Sequence, residues 1–238
     1  MSELGLATAL VSGASRGIGL EVARALVADG VRVVMLARSE QRLAARAAEL
    51  GARAIPIPCD VADGAAVSEA MRRVSDALGG APDAIVNNAG AFVLSQIAEA
   101  DPADFRRTID VNLVAPFLVV RAFLPEMRRR GSGHIVTIGS VADRAIFPEN
   151  GAYAASKFGL RALHEVLRAE LRGTGVRTTL VSPGAVDTAL WDEVNPDARP
   201  GFTPRRAMLQ ATAVADAVRF ALSRPPDVNV DELRLSRA

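Results

Sequence analysis

Several residue types are almost absent from this 238-residue chain, and each shortage excludes a class of protein. The single cysteine, Cys59, cannot form an internal disulfide, and with two histidines it supplies too few ligands for a His/Cys metal site, so we expect no metal. A lone cysteine is typical of a reducing compartment, and we expect a cytoplasmic location. The longest apolar run, residues 113–120, contains Pro116 and falls short of the ~18 residues that span a bilayer, so we expect no membrane span. Residues 1–5 carry no positive charge, which predicts that no secretory signal is present.

An excess of charge of either sign is also missing. The chain has 28 basic and 27 acidic side chains, a formal net charge of +1 and a pI near 8.0. Its largest basic cluster, Arg128–Arg130, is more typical of a solvated helix end than of a binding patch, so we expect no nucleic acid partner. Half of the residues are hydrophobic, which excludes a disordered chain and allows a sizeable core.

Lysine and tyrosine are each present once, and the two residues stand close together. Of the 28 basic residues only Lys157 is lysine, and the one tyrosine, Tyr153, lies four positions before it. In a helix, this spacing places both side chains on one face. A nearby ammonium stabilises phenolate, which predicts that the pKa of Tyr153 is lowered and that its phenol exchanges a proton with a substrate oxygen. The alternative interpretation is an amphipathic helix with one aromatic side chain and one surface lysine.

Short apolar runs alternate with helical patterns along the whole chain. The runs are almost continuously apolar, as expected for parallel strands that are covered on both faces. The predicted strands are 7–12, 32–37, 54–58, 84–87, 134–138, 178–181 and 232–235. The predicted helices are 17–28, 39–50, 63–78, a short helix from Asp101, 112–130, 152–172 and 212–223. We therefore predict one α/β domain over residues 1–238, with a doubly wound parallel sheet, helices on both faces and a ligand at the carboxyl ends of the strands.

The turn after the first predicted strand is rich in glycine. Glycines at 13, 17 and 19 permit a tight turn and the close approach of a pyrophosphate to a helix N-terminus, although the spacing is not the usual GxGxxG. The predicted dinucleotide contacts in this turn are Gly13, Ser15, Arg16, Gly17, Ile18 and Gly19. The alternative is an ordinary structural turn.

The end of the second predicted strand indicates which dinucleotide binds. An acid there would hydrogen-bond the ribose hydroxyls of NAD, but this strand ends at Ala37-Arg38 with no acid. Arg38 and Arg16 can converge on a 2′-phosphate, which a guanidinium grips with two hydrogen bonds. We therefore expect NADP(H) to be preferred over NAD(H).

The ends of the later strands supply further candidate contacts. Asp60 and Val61 follow the third strand, where a carboxylate can accept from the adenine amino group; the alternative for Asp60 is a helix N-cap. Small residues after the fourth strand let a cofactor lie close to the backbone. The backbone after the sixth strand can hold a carboxamide group. Both segments are also compatible with ordinary turns. The candidates are Asn88, Ala89 and Gly90 after the fourth strand, Ser140 after the fifth, and Pro183, Gly184, Val186 and Thr188 after the sixth.

Taken together, these motifs resemble the short-chain dehydrogenase/reductase family in its single-domain form, over essentially the whole chain. The motifs are the glycine turn at 12–19, residues 87–90, Asn112, Ser140, Tyr153-x-x-x-Lys157 and Pro183-Gly184. Ser12 stands where the family usually has threonine, and it keeps the hydroxyl. The resemblance implies a Rossmann-type sheet of about seven strands in the order 3-2-1-4-5-6-7.

The resemblance also implies a role for each candidate in the reaction. Tyr153 is the acid/base, and Ser140 positions and polarises the carbonyl. Lys157 binds the nicotinamide ribose, and its ammonium, together with the nicotinamide cation, lowers the pKa of the tyrosine. Asn112 supports a proton-relay water, although a helix-capping asparagine is the alternative. The family's usual assembly is a homodimer or homotetramer through two long helices, here 112–130 and 152–172; the apolar residues that suit such a seam, or equally the core, are Phe117, Val166 and Leu167.

The substrate is the least specified part of the prediction. Residues 141–150 and a lid formed by residues 185–208 are expected to close the pocket. The candidate substrate contacts are Ser140, Ala142, Phe147, Asn150, Tyr153 and Trp191. We predict reduction of a small or medium carbonyl compound to an alcohol with NADPH; a 3-hydroxy acid dehydrogenase is included in this interpretation.

Two other functions remain open at this stage. A 3-oxoacyl-carrier-protein reductase needs a basic docking surface for the acyl carrier protein, which Arg128–Arg130 and Arg172 could supply, although Thr174 lies where relatives often place a basic residue. The second is a regulatory protein that binds NADP without turnover. Such relatives usually lose the serine, tyrosine or lysine, and all three are present here.

Overall fold

The computed structural model describes residues 4–238 and is built around one seven-stranded parallel sheet. Its strands are β1 Thr8–Ser12, β2 Arg32–Ala37, β3 Ala54–Pro58, β4 Ala84–Asn87, β5 Gly133–Ile138, β6 Val176–Pro183 and β7 Glu232–Leu235. Their order is β3-β2-β1-β4-β5-β6-β7, which confirms the predicted doubly wound sheet. The prediction about a secretory signal falls mostly on Met1–Glu3, which lie outside the described residues.

Helices cover both faces of the sheet. They are α1 Gly17–Ala28, α2 Glu40–Leu50, α3 Gly64–Leu78, α4 Pro102–Ile109, α5 Ala115–Arg130, α6 Gly151–Glu170 and α7 Ala211–Leu222. In β1, Ala9 and Val11 join the core under α1, α2 and α7, whereas Leu10 joins the core under α3, α5 and α6. Because both faces of the strands are buried, their sequences are continuously apolar rather than alternating.

The segment from Pro102 to Arg130 differs from the prediction. Instead of two helices there is one continuous helix, in which a π-helical turn, Asp110–Val114, joins α4 to α5. Asn112 therefore lies inside a helix, and the expectation that it begins or caps one is wrong.

This continuous helix also corrects the expectation that no segment is apolar enough to span a membrane. By length and composition it could cross one, and 44% of its most apolar window is buried inside the protein. The helix contains no uninterrupted apolar run of 18 residues, but its mean hydropathy over 18 residues is high because its polar residues are scattered. One such helix is weak evidence for a span, because core helices of globular proteins pass the same test.

Candidate active site

The predicted site residues meet in one cavity of about 1170 Å³ along the carboxyl ends of the strands. Two candidates, Gly19 and Asn112, lie behind its wall and do not line it. The remaining candidates line it: Gly13, Ser15, Arg16, Gly17, Ile18, Arg38, Asp60, Val61, Asn88, Ala89, Gly90, Ser140, Ala142, Phe147, Asn150, Tyr153, Lys157, Pro183, Gly184, Val186, Thr188 and Trp191.

The glycine turn is shaped by close packing against the end of β4. Gly13 has a φ of +68°, which favours glycine, and a Cβ there would come within 2.8 Å of Asn88 Nδ2. Asn88 Nδ2 donates to the Ser12 carbonyl at 2.9 Å, and the Ser12 hydroxyl accepts from the backbone N–H groups of Asn88 and Ala89 at 3.0 Å each. A Cβ at Gly19 would lie 2.4 Å from the Gly13 carbonyl oxygen, so Gly19 lets α1 pack against the turn.

Three arginines line the end of the cavity beside β2. Arg16, Arg38 and Arg42 are exposed, and within residues 4–238 none of them forms an ion pair. Glu40, the nearest acid after β2, does not line the cavity. Arg42 lines the cavity but was not predicted from the sequence, because nothing in the pattern of an exposed helix face distinguishes it from other surface arginines.

Asp60 lies at the same end, after β3. Its carboxylate accepts from the Ala62 N–H at 3.1 Å and from Arg107 Nη2 at 3.0 Å. Burial alone would raise the pKa of Asp60, but these hydrogen bonds and the charge of Arg38 outweigh it and hold the pKa below its usual value. The alternative of a helix N-cap is wrong, because Asp63 caps α3 by accepting from Ala65 N–H at 2.8 Å.

Lys157 is buried one helical turn below Tyr153 at the other end of the cavity. Its Nζ donates to the Ile138 carbonyl oxygen at 2.9 Å and lies 5.6 Å from the centroid of the Tyr153 ring. Burial lowers the pKa of Lys157 to about 8, although the negative charge of Asp143 opposes this shift. The side chain is nearly inaccessible, with 4% exposure, so the alternative of a surface lysine is wrong.

The protein's own groups raise the pKa of Tyr153, opposite to the direction expected from Lys157. Burial is the largest cause and raises it, a hydrogen bond with the Ser140 side chain lowers it, and the charge of Asp143 raises it again. The ammonium of Lys157 does not outweigh the effects of burial and of Asp143 on this pKa. The protein's own groups therefore favour a protonated phenol.

Ser140 begins a one-turn 3₁₀ helix, Val141–Asp143, directly after β5. The Ser140 hydroxyl accepts from the Ala142 N–H at 3.1 Å, and the Asp143 carboxylate folds back toward the Ser140 N–H in a capping box. Asp143 is fully buried and accepts from the Ser182 hydroxyl at 2.6 Å and from Arg144 Nε at 2.7 Å. A buried carboxylate thus fixes Ser140 from beneath. The pattern Ser-x-x-Asp is a signature of a capping box and could have identified Asp143 from the sequence.

Asn112 connects three segments from inside the π-helical turn. Its Nδ2 donates to the Ala91 carbonyl and to the Ser156 hydroxyl, each at 2.9 Å, and its Oδ1 accepts from the Ala91 N–H at 2.8 Å. Both side-chain N–H groups are therefore occupied by protein. Asn112 therefore joins the loop after β4 to α6 at Ser156, the residue that precedes Lys157.

Comparisons with known proteins show which family the chain belongs to. A family model described as short chain dehydrogenase matches residues 7–199. The chain belongs to the short-chain dehydrogenase family. An uncharacterized oxidoreductase of Staphylococcus epidermidis is 35% identical over 227 residues, which cover 95% of each chain.

Two solved structures show how far the likeness extends. A metagenomic short-chain oxidoreductase in complex with NADP is 33% identical, with a TM-score of 0.84 and full coverage of both chains. The alcohol dehydrogenase of the archaeon Thermococcus sibiricus, complexed with 5-hydroxy-NADP, is also 33% identical with a TM-score of 0.84, over 96% of this chain and 95% of that one.

The wall near Tyr153 in this short-chain dehydrogenase is aromatic. Phe92 stands edge-on to Tyr153, with ring centroids 4.9 Å apart, and edge-on to Trp191 at 5.1 Å. Phe202 continues this wall 6.4 Å beyond Trp191. Sequence reasoning identified Trp191 but missed Phe92, which lies in the loop after β4 with no motif around it.

The segment 185–208 folds over this end of the cavity as three short 3₁₀ helices: Ala189–Trp191, Pro196–Ala198 and Arg205–Ala207. A backbone bridge between Val186 and Leu209 closes its base. The Thr188 hydroxyl accepts from the Leu190 N–H at 3.3 Å, so it caps the first of these helices.

Proposed function

We propose that this short-chain dehydrogenase is an NADP(H)-dependent oxidoreductase that reduces a carbonyl group to an alcohol. One observation carries the proposal: Tyr153, Ser140 and Lys157 lie at one end of a continuous cavity, and its other end carries three arginines that form no ion pair with residues 4–238. The first group can handle a proton at a substrate oxygen, and the second can bind a phosphate.

The residues present fit NADP(H). The glycine turn leaves no room for a Cβ at Gly13, which is the kind of cradle in which backbone N–H groups meet a pyrophosphate at a helix N-terminus. Arg16, Arg38 and Arg42 would hold a 2′-phosphate, and Asp60 would accept from the adenine amino group. Pro183 and Gly184 would lie along the nicotinamide, near Thr188.

The chain's own side chains would then perform the proton chemistry. When bound, NADPH supplies a hydride to the carbonyl carbon. Ser140 donates a hydrogen bond to the substrate oxygen, and Tyr153 delivers the proton that completes the alcohol. A phenol whose pKa the protein raises is protonated at neutral pH, as the reductive direction requires.

Lys157 and Asn112 support this step from behind. The Lys157 ammonium would bind the nicotinamide ribose and offset the charge left on the Tyr153 oxygen. Asn112 fixes the π-helical turn. Any water in a proton relay would have to donate to an oxygen of Asn112, because both N–H groups of its side chain are occupied.

The acyl-carrier-protein alternative receives less support. Arg130 donates to the carbonyls of Ala81 at 2.8 Å and Pro82 at 2.6 Å, so it stabilises a loop rather than extending a docking surface. Arg128, Arg129 and Arg172 remain exposed.

We also propose that the chain forms a homodimer or homotetramer through α5 and α6. Phe117 and Val166 are 46% and 55% exposed, which is unusual for large apolar side chains, and they border a groove of about 540 Å³ between these helices. Leu167, the third candidate for this seam, is 9% exposed and belongs to the core. We retain a cytoplasmic location as part of this proposal, since NADPH is a cytoplasmic reductant.

A carbonyl panel with NADPH and NADH tests the function. The wild-type protein should reduce at least one ketone, 3-oxo ester, diketone or acyl thioester, with NADPH preferred. Tyr153→Phe should abolish turnover and leave NADPH binding largely unchanged. If the panel gives no activity, or if the phenylalanine variant keeps near-normal rates, the proposal fails.

A further inference from the structure

One wall at the reacting end of the cavity consists of aromatic rings. The rings of Phe92, Trp191 and Phe202 form a continuous edge-to-face series that begins at Tyr153. The one polar atom of this series, Trp191 Nε1, already donates to the Val186 carbonyl at 3.1 Å. A substrate group that lies along this wall therefore meets hydrocarbon, which favours a flat apolar or aromatic substituent.

Apart from the buried Lys157, the charged side chains that line the same end are carboxylates. They are Glu149, Asp192 and Glu193. Within residues 4–238, Glu193 forms no ion pair, and its side chain is exposed. A negative substrate bound at this end would therefore be repelled by the charge of Glu193.

The arginines of segment 185–208 do not make this end of the cavity positive. Arg199 is bound to Glu149 at 2.9 Å and stacks 4.8 Å from the Phe202 ring, and Arg205 is bound to Asp187 at 2.9 Å and to Asp192 at 2.6 Å. Neither guanidinium lines the cavity.

The cations that do line the cavity are paired or distant. Arg107 is bound to Asp60 at 3.0 Å, and Arg16 follows β1, which is two strand spacings from β5, or about 10 Å across the sheet. Lys157 donates to the Ile138 carbonyl, beneath Tyr153. Arg38 and Arg42 follow β2, which is three strand spacings from β5, or about 14 Å across the sheet. A carboxylate next to the reacting carbonyl would therefore be desolvated without a counter-charge, which is costly.

We propose that the substrate is an uncharged ketone that carries an aromatic or similarly flat apolar group, and that the carboxylate of Glu193 selects against oxo acids. This inference rests on the proposed carbonyl reduction and adds the substrate class. The aromatic wall accepts the flat group, and the carboxylate of Glu193 repels its anionic analogues.

A matched ester and acid separate the charge effect from the shape effect. Phenylglyoxylate and its ethyl ester share the same ketone and ring, and they differ in one negative charge. With NADPH, kcat/KM for the ester should exceed that for the acid by at least about tenfold. Glu193→Gln should narrow this ratio, whereas Asp76→Asn, which removes an exposed carboxylate on α3 away from the cavity, should leave the ratio unchanged.

The aromatic part of the inference has its own variant. Trp191→Leu should reduce the preference for a phenyl ketone over its methyl analogue. Phe220→Leu is the matched control, because Phe220 is an exposed aromatic side chain on α7 that does not line the cavity. The control should change this preference less than the tryptophan variant does.

The outcomes distinguish this inference from the proposed function. If the acid is reduced as well as or better than the ester, or if Glu193→Gln leaves their ratio unchanged, the substrate class is overturned while Tyr153-dependent reduction stands. If Trp191→Leu leaves the phenyl preference intact, the aromatic wall has no part in selection. If neither ester nor any other carbonyl is reduced, both the proposed function and this inference fail.

Discussion

Lys157 Nζ donates a 2.9 Å hydrogen bond to the carbonyl oxygen of Ile138, the last residue of β5. This contact anchors the only lysine of an arginine-rich chain between the sheet and Tyr153. A compact ammonium fits a site that is 4% exposed, whereas a planar guanidinium is broader and rigid.

Lys157→Arg should therefore lose activity despite keeping the charge. We expect kcat to fall at least about 100-fold, the size of effect associated with a misplaced acid/base group. Overpacking should lower the free energy of unfolding by about 1–3 kcal/mol. Steady-state kinetics and urea unfolding measure the two effects. Lys157→Met, which fits the space, should be as inactive as Lys157→Arg but more stable than that variant. An arginine variant that keeps its activity would contradict this prediction.

Arg38→Leu should weaken NADPH binding and spare NADH. A charge-assisted hydrogen bond to a 2′-phosphate would be lost, so the Kd for NADPH should rise about tenfold or more. The Kd for NADH, which lacks that phosphate, should change little. Titration calorimetry with both nucleotides measures this. Arg53→Leu removes an exposed arginine outside the cavity and serves as the control. Equal losses for both nucleotides would show that Arg38 does not read the phosphate.

Asp143→Asn should shift the pH dependence of reduction. Reduction needs a protonated Tyr153, so kcat/KM falls as pH rises through the pKa of that phenol. Besides burial, the charge of Asp143 raises this pKa; without the charge the pKa is lower, and the falling limb should move to lower pH.

The control for Asp143→Asn is a variant that breaks a contact and keeps the carboxylate. Ser182→Ala removes the 2.6 Å hydrogen bond to Asp143 and should leave the limb in place. Identical profiles for wild type and Asp143→Asn would show that the carboxylate acts through packing alone.

The two buried histidines should make the fold sensitive to acid. Burial lowers the pKa of His134 to about 3 and that of His164 to about 4, from an ordinary value of 6.5. The unfolded chain therefore binds more protons below about pH 6.5, so stability is lost as pH falls from there. Each histidine should contribute about 1.4 kcal/mol per pH unit until its folded pKa is reached.

Urea unfolding from pH 7 to pH 5 measures this dependence. In His164→Gln one of the two contributions is removed, and the slope of unfolding free energy against pH should fall by about half. A slope that is the same in both proteins would assign the acid sensitivity to other groups.

The strands could be predicted from the sequence because burial on both faces leaves a direct record in it. A strand such as β2, with Val33 to Ala37 buried, must be apolar at successive positions. Once the strands are known, the residues after them are the candidates for the site, and this placed Ser140 and Arg38 in the cavity.

Features that depend on contacts distant in sequence could not be predicted. Within the π-helical turn, the side chain of Asn112 donates to Ala91 and Ser156, and no local sequence pattern records these contacts. The direction of the Tyr153 pKa depends on how deeply the phenol is buried, and spacing to Lys157 does not contain that information.

The position of Trp191 has a practical consequence. It is the only tryptophan in the chain, and its indole forms part of the cavity wall, one ring away from Tyr153. The intrinsic fluorescence of the unlabelled protein therefore comes almost wholly from one position beside the reacting atoms. A reduced nicotinamide absorbs near the emission of tryptophan, so energy transfer would report the arrival of the nucleotide, and a quencher carried by a ketone would report the second ligand. Occupancy and order of binding can thus be followed by emission alone.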